Sequence, residues 1–154
     1  MASYVALVGY VRRSSLGDGY FHVWMRGTEE VPPFPSPDDK TAALGMLLKA
    51  AKQFEVRVEA ACVMSTHYHA IVMGTSAQLS RMMQWLHSRY ARAFNRRRGR
   101  HGHVFSERFQ SKPVTEDGVW DRCAYVVGNP VKAGLCATIR DWPWSYCRRG
   151  LEAF

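Results

Sequence analysis

Two spacing patterns of apolar residues divide the chain into strands and helices. Apolar runs bounded by Gly, Pro or polar residues predict β-strands over about 20–26, 56–64, 67–74 and 109–115. Helical spacing predicts one helix from Pro37 to about Phe54 and another from about Ala77 to Arg97. Ser36 is the predicted N-cap of the first helix, and Asp39 completes an S-x-x-D capping box. This order of elements predicts an α+β fold with a ferredoxin-like βαββαβ core, in which two helices cover one face of an antiparallel sheet.

A further helix is predicted after this core. Residues from about 116 to about Gly128 have the spacing of a short helix, and this helix carries Tyr125. We expect a turn or a second helix to begin at Asn129 and Pro130, because the residue before a proline is disfavoured in helical conformation. The length predicts a single domain over residues 1–154, with an extension at about 1–19 and the tyrosine helix and tail at about 116–154.

Composition narrows the class of protein. The apolar fraction of 47% is that of a globular chain, and no run approaches the roughly 18 apolar residues needed to span a bilayer. The first residues also lack the basic start and the cleavage site of a secretory signal. The four cysteines have no C-x-x-C spacing, which argues against a zinc ribbon or a redox motif. We therefore expect a cytoplasmic protein that is not associated with a membrane.

The net charge of +8 is concentrated in one segment. Between Ser76 and Pro113 there are nine basic residues and a single acid, Glu107, so this segment accounts for the whole excess. A basic stripe with aromatic residues between the cations is suited to single-stranded nucleic acid, whereas a solvated helix face usually mixes both signs. The predicted nucleic-acid contacts are Arg26, Arg89, Arg92, Arg96, Arg97, Arg98, Arg100, Arg108 and Lys112.

Two histidines, His67 and His69, stand one residue apart in the third predicted strand. Side chains at positions i and i+2 of a strand share a face, with Cα atoms about 6.5 Å apart, so both imidazoles can reach one metal ion. The alternative is an ordinary pair of histidines held in the fold. His101 and His103 repeat the spacing in a loop, where solvated residues are the simpler interpretation. His22, on the first strand, could face the same site, but no role is assigned to it.

Tyr125 is the candidate nucleophile, although an ordinary amphipathic tyrosine with its hydroxyl at the surface is the competing interpretation. Tyr90 lies on the apolar stripe of its helix and is predicted to belong to the core. Asn129 follows Tyr125 by four residues. If the helix extends that far, the Asn129 amide can join the histidines on a metal, and otherwise it can cap a helix ahead of Pro130.

Five stretches occur in order between about Tyr20 and Tyr146. They are YFHVWMRG, VMSTHYHAIV, LSRMMQWLHSRYARAFNRRRGRHGHVFSERFQSK, YVVGNPVKAGL and DWPWSY. In this combination the chain resembles the IS200-type Y1 tyrosine transposases of the HUH superfamily, and most closely the REP-associated tyrosine transposases. The chain departs from their usual pattern by having MSTHYH where Pro-Asn ordinarily precedes the first histidine, and RGT in place of RGN.

The resemblance implies a reaction and its partners. It makes His67 and His69 ligands of a divalent metal ion, Mg²⁺ or Mn²⁺, with Asn129 as a further ligand. It makes Tyr125 the residue that cuts single-stranded or hairpin DNA and keeps a 5′-phosphotyrosine link, in a monomer or a homodimer. Two alternatives remain open: a nucleic-acid-binding domain that has lost the reaction, and a metal-dependent nuclease that uses water.

Overall fold

The computed structural model describes residues 17–154, and these form five strands and three α-helices. The elements are β1 (Asp18–Arg26), α1 (Pro37–Gln53), β2 (Arg57–Val63), β3 (His67–Thr75), α2 (Ser76–Arg98), β4 (Gln110–Val114), α3 (Val119–Lys132) and β5 (Ser145–Cys147). Residues 1–16 of the predicted N-terminal extension lie outside the described part. Among the helices of residues 17–154, none combines the length and the apolar character needed to cross a membrane.

The five strands form one antiparallel sheet in the order β4-β1-β3-β2-β5. The elements from β1 to β4 follow the predicted βαββαβ order, so the α+β fold with a ferredoxin-like core is confirmed. β5 is an addition that the sequence did not predict, because a strand of three residues is too short to show an alternating pattern. In the sheet register His22 of β1 lies opposite Ile71 of β3 on one side and Lys112 of β4 on the other.

The start of α1 is tied to the end of α2 through Asp39. Ser36 caps α1 as predicted: its hydroxyl accepts from the Asp39 N–H, and the Asp39 carboxylate accepts from the Ser36 N–H. Arg97 and Arg98 form ion pairs with the same carboxylate. Burial alone would raise the pKa of Asp39, but the hydrogen bonds from Arg98 and Ser36 hold it below its ordinary value.

The helices α1 and α2 cover one face of the sheet, which we call the helix face, and enclose the larger apolar core. Alternate residues of two strands point into it, namely Phe21, Val23 and Met25 from β1 and Tyr68, Ala70 and Val72 from β3. Tyr90 of α2 is buried in this core, as the sequence predicts, and its hydroxyl donates a hydrogen bond to the Pro33 carbonyl.

Helix α3 packs on the opposite face of the sheet, which we call the site face, over a smaller apolar cluster. The buried members of this cluster are Ala60, Cys62, Met64, Ile71, Cys123, Val126 and Val127. All four cysteines of the chain are free thiols. Because β2, β3 and α3 supply this cluster, polar residues of β1, β3 and β4 beside it are left to form a site.

Helix α3 runs further than the sequence predicts. The expected end before Asn129 was wrong, because the helix continues through Pro130 to its last residue, Lys132. Pro130 has no N–H to donate, but its side chain is buried in line with Val126 and Val127, so packing of α3 holds this turn helical. The carbonyls of Asn129 and Pro130 accept from the Ala133 and Leu135 N–H groups, so the turn is still closed. Asn129 is therefore an interior helix residue and not a cap.

Candidate active site

The alternation of β3 places His67 and His69 on the site face. Tyr68 and Ala70 point into the core under α1 and α2, whereas His67, His69 and Ile71 have the opposite parity, and Ile71 packs against α3. The centroids of the two imidazole rings lie 5.0 Å apart, with the ring planes almost perpendicular at 87°. The structure thus brings together the two histidines that the sequence singles out.

Both imidazoles are held by their Nδ1 atoms. His67 Nδ1 lies 2.9 Å from the hydroxyl of Thr66, and His69 Nδ1 lies 2.9 Å from Nε2 of His22. Within residues 17–154, neither His67 Nε2 nor His69 Nε2 has a hydrogen-bond partner. These two Nε2 atoms are therefore the ones that can bind a group from outside the chain.

His22 is a candidate site residue to which sequence reasoning gave no role. It is only 8% exposed, and its ring centroid lies 5.1 Å from that of His69. The sequence does contain a signal, because His22 alternates with the core residues Phe21 and Val23 and so belongs on the other face of β1. Its distance from His69 depends on how β1 is aligned with β3, which the sequence does not reveal.

Burial lowers the pKa of all three imidazoles. The pKa of His69 falls to about 3, first through desolvation and then through the charges of His67 and His22. The pKa of His22 falls to about 4, first through desolvation and then through Arg122 and Lys112. Desolvation also lowers the pKa of His67. At neutral pH all three rings are therefore uncharged, which is the form of imidazole that binds a metal ion.

Tyr125 faces these histidines from α3. Its ring centroid lies 6.1 Å from that of His22 and 6.3 Å from that of His69. The side chain is 44% exposed, so a large substrate has access to its hydroxyl. Tyr125, His22, His69 and Trp24 line one cavity of about 290 Å³, together with Lys112, Pro113, Val114 and Arg122. The structure therefore places the candidate nucleophile across an open cavity from His69, one of the histidine pair, and from His22.

The donor groups present fit a divalent metal ion. Two neutral imidazoles offer their Nε2 atoms, and Asn129 lies one helical turn beyond Tyr125 on α3. The Nδ2 atom of Asn129 is buried and has no partner among the described residues, but this NH2 end donates hydrogen bonds, and a cation would bind the carbonyl oxygen of the amide instead. In the same part of the chain no three His, Cys, Asp or Glu residues converge as ligands. The metal ligands expected from the sequence, His67, His69 and Asn129, therefore stay predictions.

Comparison with known proteins identifies the family. Residues 17–129 match a family model described as "Transposase IS200 like". The chain belongs to the IS200-like transposase family. No curated protein matches it.

Solved structures of other proteins show a similar fold to this IS200-like family member. A REP-associated tyrosine transposase bound to a REP hairpin is 18% identical with a TM-score of 0.66, over 92% of this chain and 84% of that one. A candidate transposase from Deinococcus radiodurans R1 is 16% identical with a TM-score of 0.51, over 77% of this chain and 92% of that one. At these identities the likeness is one of fold.

Two of the predicted nucleic-acid contacts of this IS200-like family member lie on the site face. Arg26 is exposed at the end of β1, opposite His67 in the register, and Lys112 lines the cavity from β4. Two further cations were not predicted. Arg122 lines the same cavity, and the Lys132 Nζ atom lies 5.8 Å from the centre of the Tyr125 ring. Both could have been found from helical spacing, because they stand three residues before and seven after Tyr125.

The other predicted contacts lie on or near α2, on the helix face. Arg97 and Arg98 are engaged by Asp39, and Arg100 donates to the Asn95 side chain. The remaining four are exposed. Arg89 lies over the Trp85 ring, and Arg92 lines a surface groove together with these two residues. Arg96 follows in the last turn of α2, and Arg108 borders a cavity of about 620 Å³ beside α2. The basic residues of this transposase-family chain therefore occupy two faces, and the loop residues His101 and His103 are exposed.

Proposed function

We propose that this IS200-like family member is a metal-dependent single-stranded DNA endonuclease and strand transferase that uses Tyr125 as its nucleophile. One observation supports this proposal most strongly: Tyr125 faces His22 and His69 across a shared, open cavity. The similar structure of a REP-associated transposase is bound to a REP hairpin. From that structure we infer hairpin-containing DNA as the substrate class.

The histidine pair would hold the metal ion of this reaction. We propose that His67 and His69 bind Mg²⁺ or Mn²⁺ through their Nε2 atoms, with Asn129 as a third ligand. When bound there, a divalent ion supplies positive charge beside the scissile phosphate. His22 holds the Nδ1 atom of His69, which fixes the orientation of that ring and directs its Nε2 atom outward.

The proposed covalent step exchanges one phosphodiester bond for another. The Tyr125 hydroxyl oxygen forms a bond to phosphorus, and the bond between phosphorus and the 3′ oxygen breaks. The phenol loses a proton and the departing oxygen gains one, which gives a 5′-phosphotyrosine and a free 3′-hydroxyl. Because no bond energy is lost, the step needs no ATP and can run in reverse onto a second DNA end. Arg122 and Lys132, on the Tyr125 side of α3, offer charges to the flanking phosphates.

The test is capture of the covalent intermediate. The protein is incubated with end-labelled single-stranded DNA containing hairpins of several sequences, in Mn²⁺ or Mg²⁺, and the products are separated on a denaturing gel. We expect a band with the mass of protein plus DNA that disappears with EDTA and in Tyr125→Phe. Tyr146→Phe is the matched control, because Tyr146 lies in β5 at the far edge of the sheet. This control should form the adduct at the wild-type rate.

Other outcomes would favour the alternative functions. Cut DNA that persists in Tyr125→Phe would mean that water is the nucleophile and that the chain is a hydrolytic nuclease. Tight binding of hairpin DNA without any cut or adduct would indicate a nucleic-acid-binding domain that has lost the reaction. An adduct that persists in Tyr125→Phe but is lost in Tyr146→Phe would overturn the assignment of the nucleophile.

A further inference from the structure

Trp24 lines the candidate active site, yet the proposed chemistry does not use it. It lies on β1 two residues after His22, and its ring centroid is 5.2 Å from that of His22 and 6.4 Å from that of His69. The ring is half-buried at the edge of the cavity that Tyr125 shares. An indole in this position would contact a substrate bound in the cavity, so we consider how Trp24 could bind DNA.

Trp24 differs from the other four tryptophans of the chain, all of which serve the fold. Trp142 and Trp144 donate their indole N–H groups to the Val63 carbonyl and the Thr41 hydroxyl. Trp85 packs against the larger core, and Trp120 packs against the smaller one. In the described part of the chain Trp24 belongs to neither core, and its indole N–H has no hydrogen-bond partner.

Two cations accompany the Trp24 ring. The Lys112 Nζ atom lies 5.8 Å from the ring centre, and Arg122 lines the same cavity from α3. Both side chains are exposed at their outer ends, so they can move to meet a phosphate group. Lys112 lies over one face of the indole and lines the same cavity, so this face becomes available to a base when the Lys112 side chain moves to a phosphate. An aromatic face with cations beside it is the combination that binds single-stranded nucleic acid, because bases stack on the ring while phosphates pair with the charges.

We propose that Trp24 is a stacking platform for one nucleobase of the DNA strand beside the scissile phosphate, with Lys112 and Arg122 binding the phosphates of the same stretch. This inference rests on the proposed function, because the cavity it occupies is the one that holds Tyr125. Stacking uses the π face that every base has, so the site fixes the position of the strand and tolerates different bases. The base that stacks lies within about two nucleotides of the cleaved bond, since Trp24 and Tyr125 border one cavity of about 290 Å³.

The experiment removes one base at a time from the DNA. A hairpin substrate is prepared as a series in which each nucleotide in turn carries an abasic sugar, and its affinity is measured by fluorescence anisotropy in the Tyr125→Phe background. We expect one abasic position near the cleaved bond to weaken binding about 10- to 100-fold, the range that stacking on an aromatic residue supplies. Adding Trp24→Ala should weaken binding of the intact hairpin by a similar factor and remove the effect of that abasic position.

Two variants serve as controls. Trp85→Ala removes an indole that also has a cation over it, Arg89 at 4.6 Å, but on the helix face. In this variant the abasic profile should be unchanged. Trp24→Phe keeps an aromatic ring, so it should retain part of the base dependence, and it separates loss of stacking from loss of folding. Circular dichroism melting of each variant accompanies the binding measurements.

The outcomes distinguish this inference from the proposed function. If the wild type forms the Tyr125 adduct but no abasic position is coupled to Trp24, the stacking platform is wrong and the transposase chemistry stands. If no adduct forms on any hairpin but one abasic position is coupled to Trp24, the base site stands and the proposed reaction is wrong. Unchanged base dependence in both Trp24→Ala and Trp24→Phe would overturn the inference, whatever the activity.

Discussion

The two faces of the sheet use the same strands for different purposes. The helix face carries the larger apolar core, whereas the site face carries the imidazoles, the half-exposed Tyr125 and an open cavity. Tyr68 and His69 are neighbours in β3. The Tyr68 hydroxyl lies 2.7 Å from His87 among buried side chains, and the His69 ring borders the cavity. Alternate residues of one strand therefore serve stability and, in the proposed function, chemistry, so that each role can be changed separately.

The largest expected effect is the difference in adduct rate between variants of the neighbouring residues Tyr68 and His69. His69→Ala should slow adduct formation by more than about 100-fold, because a proposed metal ligand is lost, while the urea midpoint changes little. Tyr68→Phe should lower the free energy of unfolding by about 1 kcal/mol, because the hydrogen bond to His87 is lost. Its adduct rate should equal that of the wild type. Parallel losses of rate and stability in both variants would contradict the separation of the two faces.

The next effect concerns metal affinity. His22→Phe should weaken Mn²⁺ binding about 10- to 100-fold, because a residue that orients a metal ligand typically contributes this much. Calorimetric titration of Mn²⁺ into the DNA-free protein measures it without reference to activity. His22→Gln should recover part of the affinity, since its amide can still bond to His69 Nδ1. His87→Phe, on the helix face, is the matched control, and an equal loss there would remove His22 from the site.

The neutral imidazoles make stability depend on pH. In the unfolded chain His22 and His69 take up protons below an ordinary pKa of 6.5, whereas in the fold they do so only near about 4 and about 3. Unfolding therefore binds protons in this range, and the free energy of unfolding falls as the pH drops from 6.5 toward 4. Asp39 and Glu59 have lowered pKa values, so their contributions are lost only as the pH falls below their ordinary values of 3.8 and 4.5.

Urea unfolding in EDTA at about pH 7.5 and about pH 5.5 measures the histidine effect. The midpoint should be lower at the acidic pH, and the difference should shrink in His22→Phe. The Asp39 and Glu59 carboxylates change little over this interval. A midpoint that rises on acidification would mean that folding raises the pKa of these imidazoles, which is the opposite of the effect of burial.

The smallest expected effect concerns the basic residues of the helix face. Arg89→Ala should weaken hairpin binding a few-fold and make the dependence of log Kd on log salt less steep by about 0.7, the loss of one phosphate contact on a single strand. Lys52→Ala, an exposed cation at the end of α1, is the control that should leave the slope unchanged. If Arg89→Ala leaves the slope unchanged as well, Arg89 makes no phosphate contact and the predicted role of this residue is wrong.

Local spacing was enough to predict much of the fold and part of the site. The capping pair of Ser36 and Asp39, the buried position of Tyr90 and the shared face of His67 and His69 all follow from contacts within one element. The extent of α3 did not follow, because the burial of Val126, Val127 and Pro130 outweighs the local preference of a residue before proline for a non-helical backbone. The roles of Tyr125 and the histidine pair remain predictions, although the structure places His69 and Tyr125 at one cavity.

What could not be predicted depends on alignment between strands. His22 and Trp24 reach the site only because β1 pairs with β3 in the observed register, and Lys112 joins them through the pairing of β1 with β4. The sequence shows which face of its strand each of these residues occupies, but it does not show which residues of the neighbouring strands lie beside them. Arg97 and Arg98 show the converse: a basic stripe suggests free charges, yet a distant aspartate, Asp39, engages both.

The register of β3 also provides a check on correct folding. A slip of β3 by one residue would turn His67 and His69 toward α1 and α2 and expel Tyr68 to the other face. Such a chain would lose its buried aromatic packing and its proposed reactive centre at the same time. We therefore expect a chain with this slip to be less stable than the native one. The native register buries Tyr68 and places His67 and His69 on the site face. We therefore expect a chain that resists proteolysis to have its histidines on the site face.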